Sequence, residues 1–323
     1  MSNANNTWLG SDNSASPANM TEERALQLKV YAGEVVTAFE KHTVMLDKHN
    51  VRTIKSGKSA QFPVIGRMPD AEYHTPGEEI LGQDILHGER VISIDRLLIS
   101  HIFIDNLDEV LTHFDVRSQY TDMQSRKLAE TFDNHVMREA MLGAAASATV
   151  STLDGGYQTT DANFDHGTVA TMFTAWEDAI FETAENFDNK FVPKERFLII
   201  KPAVYNTLLR TVQSSGFSAI NRDYNGQGSY ADGKIIRIAG VDLIGTPMLP
   251  QADYSGEDFH AINTLLTDGL AFATDSVATV KLLDLAMESE YDIRRQGTLM
   301  VAKYAMGHGY LRPESCATMK DTA

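Results

Sequence analysis

The chain has 323 residues, 43% hydrophobic and 22% charged, with 28 Lys and Arg against 44 Asp and Glu and a formal net charge of −16. These values exclude a disordered chain and, with no apolar run near 18 residues, a membrane-spanning helix; the length allows one large domain or two to three smaller ones. The acidic balance argues against gripping nucleic acid through a basic patch, and it fits either plain solubility or an inner wall that repels DNA and lets it move.

Residues 1–20 hold no basic residue and no apolar core, unlike a secretory signal; rich in Asn, Ser and Ala, they read as a flexible arm. Residues 26–42 (LQLKVYAGEVVTAFEKH) place apolar side chains at Leu28, Val35, Val36 and Phe39. They read as a helix interrupted by Gly33 or as an ordered extended segment.

Residues 52–90 carry Gly57, Pro63, Gly66, Pro69, Pro76, Gly77, Gly82 and Gly88, a density that prevents a helix. A connection this long is functional or disordered, and two extended limbs meeting at a bend fit it best. Its charges separate: Arg52, Lys55, Lys58 and Arg67 precede Asp70, Glu72, Glu78, Glu79, Asp84 and Glu89. Either each limb meets an oppositely charged surface on an adjacent subunit, or the limbs neutralise each other within one hairpin. The candidate inter-subunit contacts are Arg52, Lys55, Lys58, Arg67, Glu78, Glu79 and Asp84.

Residues 91–104 (VISIDRLLISHIFI) are rich in β-branched side chains and predict one strand, with His101 a packed or edge residue. A proline-free helical stretch of about forty residues, roughly 60 Å long, follows from an Asn106 N-cap to about residue 146. Its apolar positions are Leu107, Val110, Leu111 and Phe114, then Leu128, Phe132, Val136 and Ala140. A polar arm, a long extended excursion and a spine of this length cannot bury themselves alone. They suggest a subunit whose parts lie on copies of itself.

Val169, Met172, Phe173, Trp176, Ile180, Ala184 and Phe187 mark an amphipathic helix, and RFLII (residues 196–200) a strand. Pro202 opens a helix to about Val212, residues 215–233 form a glycine-bearing loop, and residues 235–239 and 241–246 form a hairpin around Gly240. Together these predict an α/β sub-domain at about 155–265. From Val277 strands return, and Tyr291, Ile293, Leu299 and Val301 alternate with polar neighbours over one long run.

Catalytic patterns are absent. Gly57-Lys58-Ser59 ends like a phosphate loop, but the glycine required five residues earlier is Arg52, and Pro63 stops the helix that should follow. Gly226-Gln227-Gly228-Ser229 lacks the third dinucleotide-binding glycine, where Ala231 stands. No G-x-S-x-G elbow, HExxH or EF-hand occurs, the ten histidines are scattered, and His42 and His49, seven apart, give no specific metal signal. Gly307-His308-Gly309 reads as a turn. Cys316, the single cysteine, excludes a disulfide framework and reads as a bystander thiol suited to a reducing cytosol. No enzyme activity, metal or cofactor is expected; a nucleotide-dependent enzyme resting on Gly57-Lys58-Ser59 is a second alternative, which absence of ATP binding would remove.

Four strings resemble the major capsid protein of T7-like short-tailed phages: SGKSAQFPVIGR (residues 56–67), HFDVRSQYT (113–121), VAKYAMGHGYLRPE (301–314) and LQLKVYAGEVVTAF (26–39). They keep the family's order along most of the chain and are weakest over about 144–300. The resemblance implies an α+β, HK97-like capsid fold. Its parts would be an N-terminal arm at 1–51, an extended E-loop at 52–90, a peripheral domain with the spine helix at 91–154, an α/β axial domain at 155–265, and peripheral return strands with the C-terminus at 266–323. The loop near residues 221–233 would face the capsomer axis. The resemblance also implies hexamers and pentamers on a T=7 icosahedral lattice that encloses double-stranded DNA without sequence-specific binding. The partners would be further copies of the chain, a scaffolding protein, a portal protein and in some relatives a decoration protein, with assembly in the host bacterial cytoplasm. An encapsulin-like cargo compartment of the same fold is the alternative. Lysine-to-asparagine cross-linking, known in some relatives of the fold, is not carried over to Lys55 or Lys58.

Overall fold

The computed structural model describes residues 39, 43–77, 79–105, 116–165, 168–214 and 237–322. The N-terminal arm apart from Phe39, the Asn106 cap with Leu107, Val110, Leu111 and Phe114, Glu78, and the loop at 215–233 lie outside the described residues. The chain divides into two compact units: residues 1–43, 96–131 and 283–305, and residues 44–95, 132–282 and 306–323.

The larger unit is built on a six-stranded sheet of order β5-β12-β9-β6-β8-β7, with β5 at Tyr157–Thr160, β6 at Arg196–Ile200, β7 at Arg237–Ile238, β8 at Val241–Gly245, β9 at Thr267–Ala273 and β12 at Cys316–Lys320. β6 and β8 are parallel, as a crossover through a helix requires, and β9 runs antiparallel to β6 and β12. The sheet therefore draws strands from both sides of residue 265. RFLII is buried at four of its five positions, which explains a continuous apolar run rather than an alternating one.

Helix α2 (Val169–Asn189) covers this sheet. Thr168 caps it, its Oγ1 accepting the Thr171 N–H, and the buried face holds Phe173, Trp176, Ile180, Ala184 and Phe187. Trp176 is fully buried and its Nε1–H donates to the Phe164 carbonyl at 3.0 Å. A Cβ at Gly269 would lie 2.9 Å from the Trp176 ring, so this strand position admits only glycine beneath the indole. Helix α3 (Pro202–Ser214) starts at the expected proline. The β7–β8 hairpin turns through Ala239 and Gly240 at φ 49° and 82°, the left-handed pair that a tight two-residue turn demands.

Elsewhere in this unit, β1 (Asn50–Thr53) pairs in parallel with residues 278–281 of β10 (Val277–Asp292). Strands β2 (Ser59–Ile65) and β3 (His87–Ser93) form an antiparallel ladder from Ser59↔Ser93 to Ile65↔His87. Ala60 and Ile92 turn inward onto Ala278, Val280 and Leu311.

The smaller unit pairs β4 (Leu98–Asp105) antiparallel with β11 (Gly297–Tyr310), from Gly297↔Asp105 to Tyr304↔Leu98. Met300 packs with Ile104, Leu285 and Met287. Helix α1 runs from Val116 to Ala145, 30 residues and about 45 Å, with residues in both units. Leu128, Phe132, Val136 and Ala140 are all buried, as the spacing of four predicts. In the smaller unit Gln124 Nε2 donates to the Ser100 carbonyl.

Three expectations are corrected. Residues 91–104 are not one strand: β3 ends at Ser93, β4 begins at Leu98, and the two belong to different sheets. The run from Tyr291 to Val301 is likewise two strands, reversed between Asp292 and Gly297, where Gln296 sits at φ 52° and Asp292 Oδ1 accepts the Arg294 N–H at 2.8 Å. His308 is not in a turn but inside β11, and it is buried. A Cβ at Gly307 would collide with the Ser93 carbonyl and one at Gly309 with Ile92, so the two glycines serve a close approach of β11 to the end of β3.

Candidate assembly surface

The hairpin β2–β3 is anchored at its base and bare at its tip. Gly66 N–H donates to the Leu86 carbonyl at 2.9 Å. A Cβ at Gly66 or Gly88 would meet Leu86, Thr152 or Val150, so both glycines let the base lie against residues 149–152. Arg67 fixes the same corner: its Nη2 donates to the Lys190 carbonyl at 2.7 Å, lies 3.2 Å from Asp154 Oδ2, and its guanidinium sits over the Phe191 ring.

Beyond that corner every described residue from Met68 to Leu86 is exposed. Met68, Tyr73, Ile80, Leu81, Ile85 and Leu86 all show large apolar side chains to solvent, Leu81 at 87% and Ile80 at 78%. Gly77 and Gly82 take φ of 102° and 81°, values that a side chain rarely adopts, and a Cβ at either would meet nothing within 4 Å. A segment that turns this much apolar surface outward is a candidate interaction surface.

The candidate contact residues divide by what they touch. Arg52 Nη1 donates to the Gln61 carbonyl at 3.1 Å and its guanidinium lies over Phe62, so it serves its own hairpin. Arg67 likewise serves its own unit. Lys55, Lys58, Glu79 and Asp84 are exposed, and Glu78 lies outside the described residues. Among the described residues no ion pair joins the basic limb to the acidic one.

A second concentration of polar groups lies inside the larger unit, where His49, His135, His260 and His308 meet from four separate segments. Ring centroids are 4.8 Å apart for His135–His260 and 5.6 Å for His260–His308. No local pattern announces this cluster; the Gly-His-Gly triplet was its one available sign. His260 joins Glu139 Oε1 at 2.7 Å and Asp95 Oδ2 at 2.8 Å. Burial opposes its charge, but those two carboxylates outweigh burial and hold its pKa at about 9. His49 has the reverse balance: burial brings it down to about 4. Burial also pushes the Asp133 carboxyl up to about 6, although the Val44 and Met45 N–H groups donate to it at 2.7 and 3.1 Å. Cys316 is buried, and burial pushes its thiol far up.

These shifts give a pH prediction. A histidine with a depressed folded pKa contributes stability above its unfolded value of about 6.5 and loses it as pH falls toward 4; His49 accounts for roughly 3 kcal/mol across that window. Asp133 has the opposite sign, because its raised pKa favours the folded state as pH falls from about 6 toward 4, and it offsets part of the loss. The urea midpoint of the subunit should fall on acidification below about pH 6.5, and His49→Gln should flatten that decline. An unchanged slope in the variant would contradict the assignment.

A family model described as Gp10A-like major capsid protein matches residues 61–320. The chain is 32% identical over 324 residues to the major capsid protein of Escherichia phage T7, covering 92% of each chain. It is 30% identical over 332 residues to that of Enterobacteria phage T3, again covering 92% of each. Among solved structures, the capsid structure of the Cyanophage P-SCSP1u matches at TM-score 0.74 and 35% identity, over 87% of this chain and 88% of that one. A virus-like particle from Pyrococcus furiosus matches at TM-score 0.57 and 14% identity, over 91% of this chain and 99% of that one, a likeness of fold alone. With its arm-and-hairpin sequence order, its mixed sheets and the outward-facing loop between β2 and β3, the chain has the HK97-like fold and belongs to the Gp10A-like major capsid proteins, the shell components of phage virions.

Proposed function

We propose that this subunit builds hexamers and pentamers of a T=7 icosahedral head that encloses double-stranded DNA. The observation that carries the reading is the exposed tip at residues 68–86, whose apolar side chains and separated charges suit the surface of an adjacent copy. Each subunit added to a closed lattice contacts several neighbours at once, so modest contacts become strong together. The net charge of −16 fits a wall that confines DNA without gripping it. The subunit is a structural element, not an enzyme; it assembles in the host bacterial cytoplasm with a scaffolding protein and a portal, and a decoration protein is an optional further partner. The arm at 1–51, the E-loop at 52–90, the peripheral parts at 91–154 and 266–323 and the axial part at 155–265 are the division of labour this reading assigns.

Lys55 and Lys58 test the charge contacts. Both are exposed, so Lys55→Glu with Lys58→Glu should leave the subunit's unfolding midpoint unchanged within about 0.5 kcal/mol. The same double variant should lower particle yield severalfold in negative-stain microscopy, and normal yield would sink the inter-subunit role of this limb. Expression of the wild-type chain with and without scaffold separates the compartment alternative: uniform shells that require scaffold support the phage head, and uniform shells without it support an encapsulin-like compartment.

A further inference from the structure

The histidine cluster holds more than a structural network. One carboxylate oxygen of Asp95 and one ring nitrogen each of His135 and His308 lie within 4.8 Å of one another. Asp95 follows β3, His135 is on α1 and His308 is in β11; all three belong to the larger unit. We propose that they form a binding site for a divalent transition-metal ion, with Zn2+ the ion its two imidazoles and one carboxylate suit best.

The hydrogen bonds assign the ring nitrogens. His49 Nδ1–H donates to the Met45 carbonyl at 2.6 Å, which leaves its Nε2 to accept from the Thr279 hydroxyl at 2.7 Å. The Thr279 oxygen then accepts from His308 Nδ1–H at 2.9 Å. His308 is therefore the tautomer whose bare lone pair is on Nε2, and no described residue donates to it. His135 makes no hydrogen bond among the described residues; it only faces the His260 and His308 rings. Ring nitrogens of His135 and His308 that take no donor among the described residues keep lone pairs open to an ion, with His308 buried and His135 partly so.

The surroundings orient the donors as a metal site requires. His308 is held through Thr279, the outer hydrogen bond that fixes a ligating imidazole. Asp95 is held twice: its backbone N–H donates to the Met306 carbonyl at 3.1 Å, and its Oδ2 bonds His260, which Glu139 backs from the far side. That leaves Oδ1 for an ion. Gly307 and Gly309 permit the approach of β11 that sets His308 beside the end of β3. Tetrahedral zinc, with bonds of about 2.0–2.1 Å, needs donors about 3.4 Å apart, so closing the triad takes side-chain rotation of about an ångström. Water would take the fourth position. The bound ion would tie the end of β3 to α1 and β11.

The test is a Co2+ and Zn2+ titration of the purified full-length chain after chelator treatment, read by visible absorption and by metal per chain after gel filtration. The expected result is one Co2+ per chain with the strong absorption of a tetrahedral site, and competition by Zn2+. Affinity should fall at least tenfold in His135→Gln and about 10–100-fold in Thr279→Val, which changes no ligand. The exposed-histidine variant His101→Gln should bind like wild type. No metal uptake by the wild-type chain, or equal affinity in His135→Gln and wild type, would overturn the site and leave an ordered water as its occupant. If one variant fails to fold, the other still locates the ion, and absence of uptake by the wild-type chain overturns the site by itself.

Discussion

Replacing residues 68–85 with a short Gly-Ser turn should abolish shell formation while leaving a folded subunit. Every described side chain removed is exposed, and the bond from Gln83 Nε2 to the Asp70 carbonyl, the one side-chain hydrogen bond among the segment's described residues, leaves with it. Shortening the loop also lowers its closure cost slightly, so the unfolding midpoint should stay level or rise. Removal of all of 52–90 would be a poorer experiment. That deletion takes Arg52 and Thr53 from the β1 ladder, Ala60 from the core around Val280, and Val64 from its contacts with Val150 and Leu153. Loss of shells would then reflect a damaged fold. With the shorter deletion, shells at normal yield would refute the assembly role of the tip, and a collapsed unfolding midpoint would show that the tip supports its own subunit.

The second large effect is expected at Arg138, which is 1% exposed on α1. Its Nε donates to the His260 carbonyl at 2.8 Å, and its Nη2 donates to the Phe259 carbonyl at 2.9 Å and to Glu257 Oε2 at 2.7 Å. The guanidinium also lies over Tyr254, 4.2 Å from the ring centroid. Glu257 is half-exposed and would rehydrate, so the ion pair itself accounts for little. The cost lies in the carbonyls stranded without a donor, about 1–3 kcal/mol each. Arg138→Met should therefore destabilise the subunit by about 3–4 kcal/mol in urea unfolding. Arg138→Lys keeps the charge but not the planar fork and should lose roughly half of that. A loss below about 1 kcal/mol in Arg138→Met would show that the loop at 257–260 repairs its own hydrogen bonds.

Much of the fold was legible wherever its cause is local. The α2 stripe follows from side chains that recur every three to four residues, the start of α3 from a proline whose missing N–H costs nothing in the first turn, and the β7–β8 hairpin from a glycine at positive φ. The absence of a helix from β2 through β3 followed from the prolines and glycines there. The same local rules fail at the breaks of 94–97 and 293–296. An alternating pattern continues across a reversal as readily as along a strand, because period two records which face is buried and not which partner is paired. Pairing with β2 on one side and β11 on the other separates β3 from β4.

Among the candidate contact residues, charge type and order were readable in sequence, but partners were not. Arg52 and Arg67 turn back onto their own chain because a carbonyl and an aromatic face happen to lie within reach, whereas Lys55, Lys58, Glu79 and Asp84 remain outward. His308 shows the same limit more sharply: flanking glycines read locally as a turn, and only the backbone of Ser93 crossing β11 explains why no Cβ fits there. By itself the sequence determined the elements with a local physical cause, together with the family, whose long strings persist in order along the chain. The tertiary structure alone decided which arginines are spent internally, where the long strands reverse, and that histidines at 49, 135, 260 and 308 share one buried site. Those outcomes depend on contacts between residues up to 230 apart in the chain, which no local pattern encodes.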